Sequence, residues 1–166
     1  MRLTLSRLRL KNVLAIVLLA AAVPTLMAAQ QLPMRRTLTL DAARKVAAAA
    51  EAEAKKNNWA VAIAVVDDGG HLVVFNRIDG AKLGVADIAI RKARTAVYFQ
   101  GETKGLEEEV GKGGRTPLLA IEGFMPLEGG VPLMVGGQLV GAVGVSGVTG
   151  EQDAQCAAAG AKTIGG

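Results

Sequence analysis

A chain of 166 residues can bury one real core and is too short to divide comfortably into two. Its net charge of +4 sits in Arg2, Arg7, Arg9 and Lys11; the other 15 basic residues meet 15 acids, which excludes a basic stripe that would track nucleic acid. The single cysteine, Cys156, excludes an internal disulfide and a Cys-x-x-Cys-His cofactor attachment.

Residues 1–29 read as a signal peptide. A cationic stretch ends at Asn12, and the apolar run Val13 to Val23 precedes Pro24. That run suits a signal-peptide core and falls short of the roughly twenty residues a membrane span needs. Cleavage is expected near Ala28 or Ala29. Leu26 or Met27 fills the outer small position imperfectly, so an uncleaved anchor is the alternative. No arginine pair precedes the run, so twin-arginine export is not indicated. The expected address is the periplasm or the medium, with no stable membrane span after cleavage.

Residues 30–38 form a short leader, and the domain is expected over 39–166. In "TLDAARKVAAAAEAEAKKNN", Thr39 is an N-cap, Asp41 opens the first turn and lysines close the last. Leu40, Ala43, Val46, Ala47, Ala50 and Ala54 make an apolar stripe of mostly small residues at helical spacing. "WAVAIAVVDDGGHLVVFNRI" changes period. Trp59, Val61, Ile63 and Val65 share one face and Ala60, Ala62 and Ala64 the other, a strand that turns at "DDGG" and returns from His71 to Arg77.

"VADIAIRKARTAVYF" is a second helix that buries Val85, Ala89, Ala93, Ala96 and Val97. Asp87 and Arg91, four apart on its other side, can pair for about 0.2–0.5 kcal/mol. A short helix is expected near Leu106 to Val110, and Pro117 to Met125 has no assignable pattern. Val131 to Val135 and Gln138 to Ser146 are strands joined at Gly136-Gly137. In the second, Leu139, Gly141, Val143 and Val145 share one face, and Ala142 and Gly144 leave the other nearly bare for a helix. Thr149 and Gln152 form a capping box for the last helix.

Little in the chain announces chemistry. His71, the only histidine, stands on the shoulder of the first hairpin, where it is either a metal or iron ligand or an exposed strand residue. Ser146, His71 and Asp153 assemble a triad on paper, but "GVSGV" misses the nucleophile-elbow pattern by one position. Arg91, Lys92, Arg94 and Thr95 are either a solvated helix face or a cationic ledge for carboxylates. Cys156 reads as a small buried helix residue, with a ligand or intermolecular thiol as the alternative. No strand-to-helix glycine loop of the dinucleotide type is present.

"VAIAVVDDGGHLVVFNRIDGA", "AIRKARTA", "GGVPLMVGGQLVGAVGVSG" and "EQDAQCAAAG", in that order, resemble the GlcG/HbpS-like haem-binding family, related to the C-terminal domain of PduO-type corrinoid proteins. The resemblance covers about residues 37–166. It implies an α/β (α+β) fold, profilin-like, with an antiparallel sheet of about five strands flanked by helices, assembled as a homo-oligomer. It also implies non-covalent binding of haem or another tetrapyrrole, in some members with redox sensing outside the cell. His71 is then the candidate axial ligand to the metal, and Lys92, Arg94 and Thr95 are the candidate cofactor contacts. The Glu-x-x-Glu iron pair of some relatives is absent, and aromatics are 3% of the chain, which points to a shallow or inter-subunit site. The competing expectations are an enzyme or accessory protein for a small hydroxy or keto acid, as in glycolate metabolism, and an oligomeric scaffold without a cofactor.

Overall fold

The computed structural model describes residues 33–164, so the signal-peptide reading lies outside the described residues. Helix α1 (Leu40–Lys56) starts where Thr39 accepts a hydrogen bond from the Ala42 N–H, and it ends past Lys55 and Lys56. Its buried stripe is Ala43, Val46, Ala47, Ala50 and Ala54; Leu40, expected on that stripe, stays exposed at the first turn. Strands β1 (Ala62–Asp67) and β2 (Leu72–Arg77) form the expected hairpin. Helix α2 (Val85–Phe99) and the short α3 (Thr103–Gly111) follow. Strands β3 (Gly130–Val135) and β4 (Gln138–Ser146) turn through Gly136 and Gly137, both at positive φ, and α4 (Gly150–Ala161) carries the capping box of Thr149 and Gln152.

The sheet is antiparallel throughout, in the order β2-β1-β4-β3. It has four strands among the described residues rather than about five. The segment without a pattern closes as a 3-10 helix, Thr116–Ala120, followed by a turn with Gly123 at positive φ. Pro117 and Pro126 lack the N–H groups a further ladder would need.

Helices cover both faces. Val61, Ile63, Val65, Val143 and Val145 pack with Val46 and Ala50 of α1 and with Cys156 and Ala157 of α4. On the other face, Ala62 and Ala64 pack with Val85 and Ala89 of α2, and Val66 and Ala142 with its Ala93 and Ala96. Gly144 explains that closeness: a Cβ there would stand 2.1 Å from the Ala89 carbonyl oxygen and 2.6 Å from the Ala93 nitrogen. The helix backbone rests on the strand.

Two bulges break the strict alternation. Leu133 pairs with Gly141 but Met134 with Leu139, so Val140 is the extra residue. Leu139 therefore packs with the α2 layer instead of sharing the Val143 face, and Val140 joins the α1 and α4 layer. In the hairpin, Val65 pairs with Val74 and Val66 with Leu72, leaving Val73 over. Among the described residues no helix is long and apolar enough to cross a membrane.

Candidate functional site at the first hairpin turn

The turn between β1 and β2 is organised by one carboxylate. Asp67 Oδ1 accepts hydrogen bonds from the N–H groups of Gly69 and His71, each 2.9 Å long, and the main chain closes with Asp67 N to His71 O at 2.9 Å. Burial pushes the Asp67 carboxyl up, but the N–H groups of His71 and Gly69 and the nearby imidazole outweigh it and hold the carboxyl below its ordinary value. The His71 Nδ1 lies 3.3 Å from the same oxygen, and the His71 side chain is 82% exposed. Its Nε2 makes no hydrogen bond to a described residue.

Helix α2 braces this turn from the side. Arg94 Nε donates to the Gly70 carbonyl at 3.0 Å. Gly70 has φ +81°, and a Cβ there would stand 3.0 Å from the Tyr98 ring. A shallow cavity of about 280 Å³ adjoins the brace, lined by Asp87, Arg91, Arg94, Tyr98, Glu122 and Gly123. Arg91 pairs with Asp87 at 2.7 Å, as its spacing predicts. On edge strand β2, Leu72 and Phe75 are 44% and 37% exposed, and their partners Val66 and Ala64 belong to the α2 face.

The four residues singled out by sequence separate into two pairs. His71 and Arg94 meet at the turn. Lys92 and Thr95 point inward: Lys92 Nζ donates to Asp153 Oδ2 at 2.8 Å and to the Val145 carbonyl at 3.0 Å, and Thr95 Oγ1 accepts from the Met125 N–H at 2.9 Å. Their positions fall between Ala89, Ala93 and Ala96 on the helical wheel, so the apolar stripe itself marks them as interior. Sequence reasoning passes over Asp67 and Gly69, although the "DDGG" turn holds a residue type that bonds its own backbone two residues on.

Other chemistry does not assemble. Asp67 pairs with Gly141 and Ala62 with Ser146, which puts Ser146 at the opposite end of the sheet from the His71 turn. Burial, with Asp153 and Glu53 adding, pushes the Cys156 thiol up to about 12, far from a nucleophilic thiolate. Among the described residues no group of three or more His, Cys, Asp or Glu could hold a metal ion. A haem has a different requirement: one imidazole nitrogen for the iron, apolar surface for the ring and cations for the propionates. His71, the exposed Leu72 and Phe75, and Arg94 supply donors of those kinds within one region, so the residues fit the group.

The family model for "Haem degrading protein HbpS-like" matches residues 38–162. Protein GlcG of Escherichia coli strain K12 is 50% identical over 109 residues, which are 66% of this chain and 81% of GlcG. The crystal structure of a double mutant of Streptomyces reticuli HbpS superposes with a TM-score of 0.75 at 39% identity, covering 82% of this chain and 93% of that one. The PduOC–haem complex gives a TM-score of 0.73 at 28% identity, covering 78% and 96%.

Proposed function

The chain belongs to the HbpS-like family, and from that premise we propose that it is an exported protein that binds haem without covalent attachment and without turning it over. The observation that carries this reading is the exposed His71 imidazole, with Leu72 and Phe75 on the same edge strand and Arg94 across the turn. His71 supplies the axial nitrogen. Of the charged residues in "KARTA", Arg94 is the exposed one and would meet a propionate, whereas Lys92 and Thr95 are buried and set the position of α2 from inside. A face this open gives no water-excluded chamber for oxygen chemistry, which favours delivery or sensing over degradation.

Exposed apolar side chains away from that strand, Met134 on β3 and Leu83 before α2 among them, also favour assembly into a homo-oligomer, which would cover them at roughly 25 cal/mol per Å². Light scattering should give a multiple of the protomer mass at micromolar concentration, and a monomer mass would refute assembly. Haemin titrated into the purified protein should shift the Soret band saturably at a fixed stoichiometry. With reductant and oxygen added, the bound band should fade no faster than that of free haemin. A non-saturating spectrum would remove haem binding, and selective bleaching would turn the reading toward degradation.

A second reading rests on the cavity beside α2. Arg91, Arg94 and Tyr98 could receive the carboxylate of a small hydroxy or keto acid, in an enzyme or accessory protein. Calorimetry with glycolate separates the two: heat that survives His71→Ala and vanishes in Arg94→Ala would favour the acid.

A further inference from the structure

The first turn does more than display a histidine. One oxygen, Asp67 Oδ1, faces three nitrogens: the N–H of Gly69 and of His71 at 2.9 Å each, and the imidazole Nδ1 at 3.3 Å. The two backbone bonds fix the carboxylate, so it is a stationary acceptor and not a side chain free to swing away. Gly69 makes the arrangement possible. A Cβ at residue 69 would stand 2.8 Å from His71 Nδ1, 3.0 Å from Cε1 and 3.3 Å from Asp67 Oδ1. Gly69 is not among the positive-φ residues, so its role is room for the ring and not backbone freedom.

We propose that Asp67 is the positioning residue for His71: it holds the imidazole proton on Nδ1, so that Nε2 faces outward as a bare lone pair. A free neutral imidazole in water prefers its proton on Nε2, the form in which that nitrogen cannot bind iron. A carboxylate on Nδ1 reverses the preference, turns the ring to one orientation and makes Nε2 more basic. The role toward haem rests on the function proposed above; the tautomer does not. For an iron bound at Nε2, the added basicity favours the ferric state and lowers the midpoint potential.

The test is made first on the haem-free protein. Nitrogen-15 NMR above the imidazole titration range should find His71 mainly as the Nδ1–H tautomer. Gly69→Ala, which keeps the carboxylate and crowds the ring, should move the population toward Nε2–H, and Asp67→Asn, which keeps an acceptor and removes the charge, should move it partway. With haemin bound, Gly69→Ala should weaken affinity at least tenfold, within the range that loss of such an orienting partner brings. Asp67→Asn should raise the midpoint potential, which a purely structural role for Asp67 would leave in place. A wild-type His71 that is mainly Nε2–H, or a tautomer ratio unchanged in Gly69→Ala, overturns the assignment whatever haemin does. Nδ1–H in a protein that takes up no haemin would keep the Asp67–His71 pair and remove the haem reading instead.

Discussion

The Lys92 ammonium and the Asp153 carboxylate meet at 2.8 Å with both side chains only 3% exposed, and they come from helices on opposite faces of the sheet. Lys92 also donates to the Val145 carbonyl of β4, and Asp153 Oδ1 accepts from the Val148 N–H just before α4. One buried pair thus joins α2, the end of β4 and the start of α4. Such a pair adds little over well-packed apolar groups, but removing one partner strands the other.

Lys92→Met should therefore cost about 3–5 kcal/mol at neutral pH. Burial already raises the Asp153 carboxyl above its ordinary value, against the pull of Lys92 and of the N–H groups of Val148 and Gly147. The folded state consequently binds that proton more tightly than the unfolded chain does, and losing Lys92 widens the difference. A raised carboxyl costs stability as pH rises above its unfolded value, so the variant's penalty should be smaller at pH 5 than at pH 8. Denaturant midpoints at both pH values measure it. A penalty independent of pH would show that Asp153 is not the stranded group, and Lys92→Met/Asp153→Leu should recover most of the loss.

Two glycines make opposite predictions. Gly144→Ala places a methyl into the α2 backbone at Ala89 and Ala93, where only movement of the helix makes room. We expect a loss of about 1–3 kcal/mol or more, of the overpacking kind. At Gly105, in α3, an added methyl would meet nothing within 4 Å, and the residue has no positive φ. Gly105→Ala should gain up to about 1 kcal/mol through helix propensity and a stiffer unfolded chain. Thermal unfolding of the two variants tests both, and equal effects would contradict the packing described for β4.

These contrasts show what a sequence carries and what it withholds. The alternation of Val61, Ile63 and Val65 with alanines is a local property, so both hairpins and both layers can be read from it. The bulges at Val73 and Val140 cannot, because an extra residue is defined only against a partner strand. His71 and Arg94 are legible as chemistry, and they do meet at the turn. Lys92 groups with them in sequence because its charge suggests solvent, whereas its partner Asp153 lies 61 residues on and on another helix.

Export makes a prediction about the chain end. The cationic start, short apolar run and following alanines place the expected cleavage before Gln30. Intact-mass measurement of the protein from its native host should find a chain starting near Gln30, recovered from the periplasm or the medium. A mass that still includes Met1 would rule the cleaved leader out and restore the uncleaved anchor.

The proposed haem contacts separate by how wet each one is. His71→Ala removes the proposed axial nitrogen from an exposed shoulder whose backbone bonds run through Asp67 and the main chain, so the hairpin should survive. Haemin affinity should fall more than tenfold, above about 1.4 kcal/mol, and the Soret maximum should move. Arg94→Ala removes the proposed propionate contact at a solvated surface, worth about 1 kcal/mol or less by itself. It also frees the Gly70 carbonyl that Arg94 holds, so its effect should exceed that of Arg91→Ala, whose side chain is paired with Asp87. The order expected in titrations is therefore His71, then Arg94, then Arg91. Unchanged spectra and affinity in His71→Ala would pass the iron to another ligand, with Tyr98, 61% exposed beside the same turn, the next to substitute.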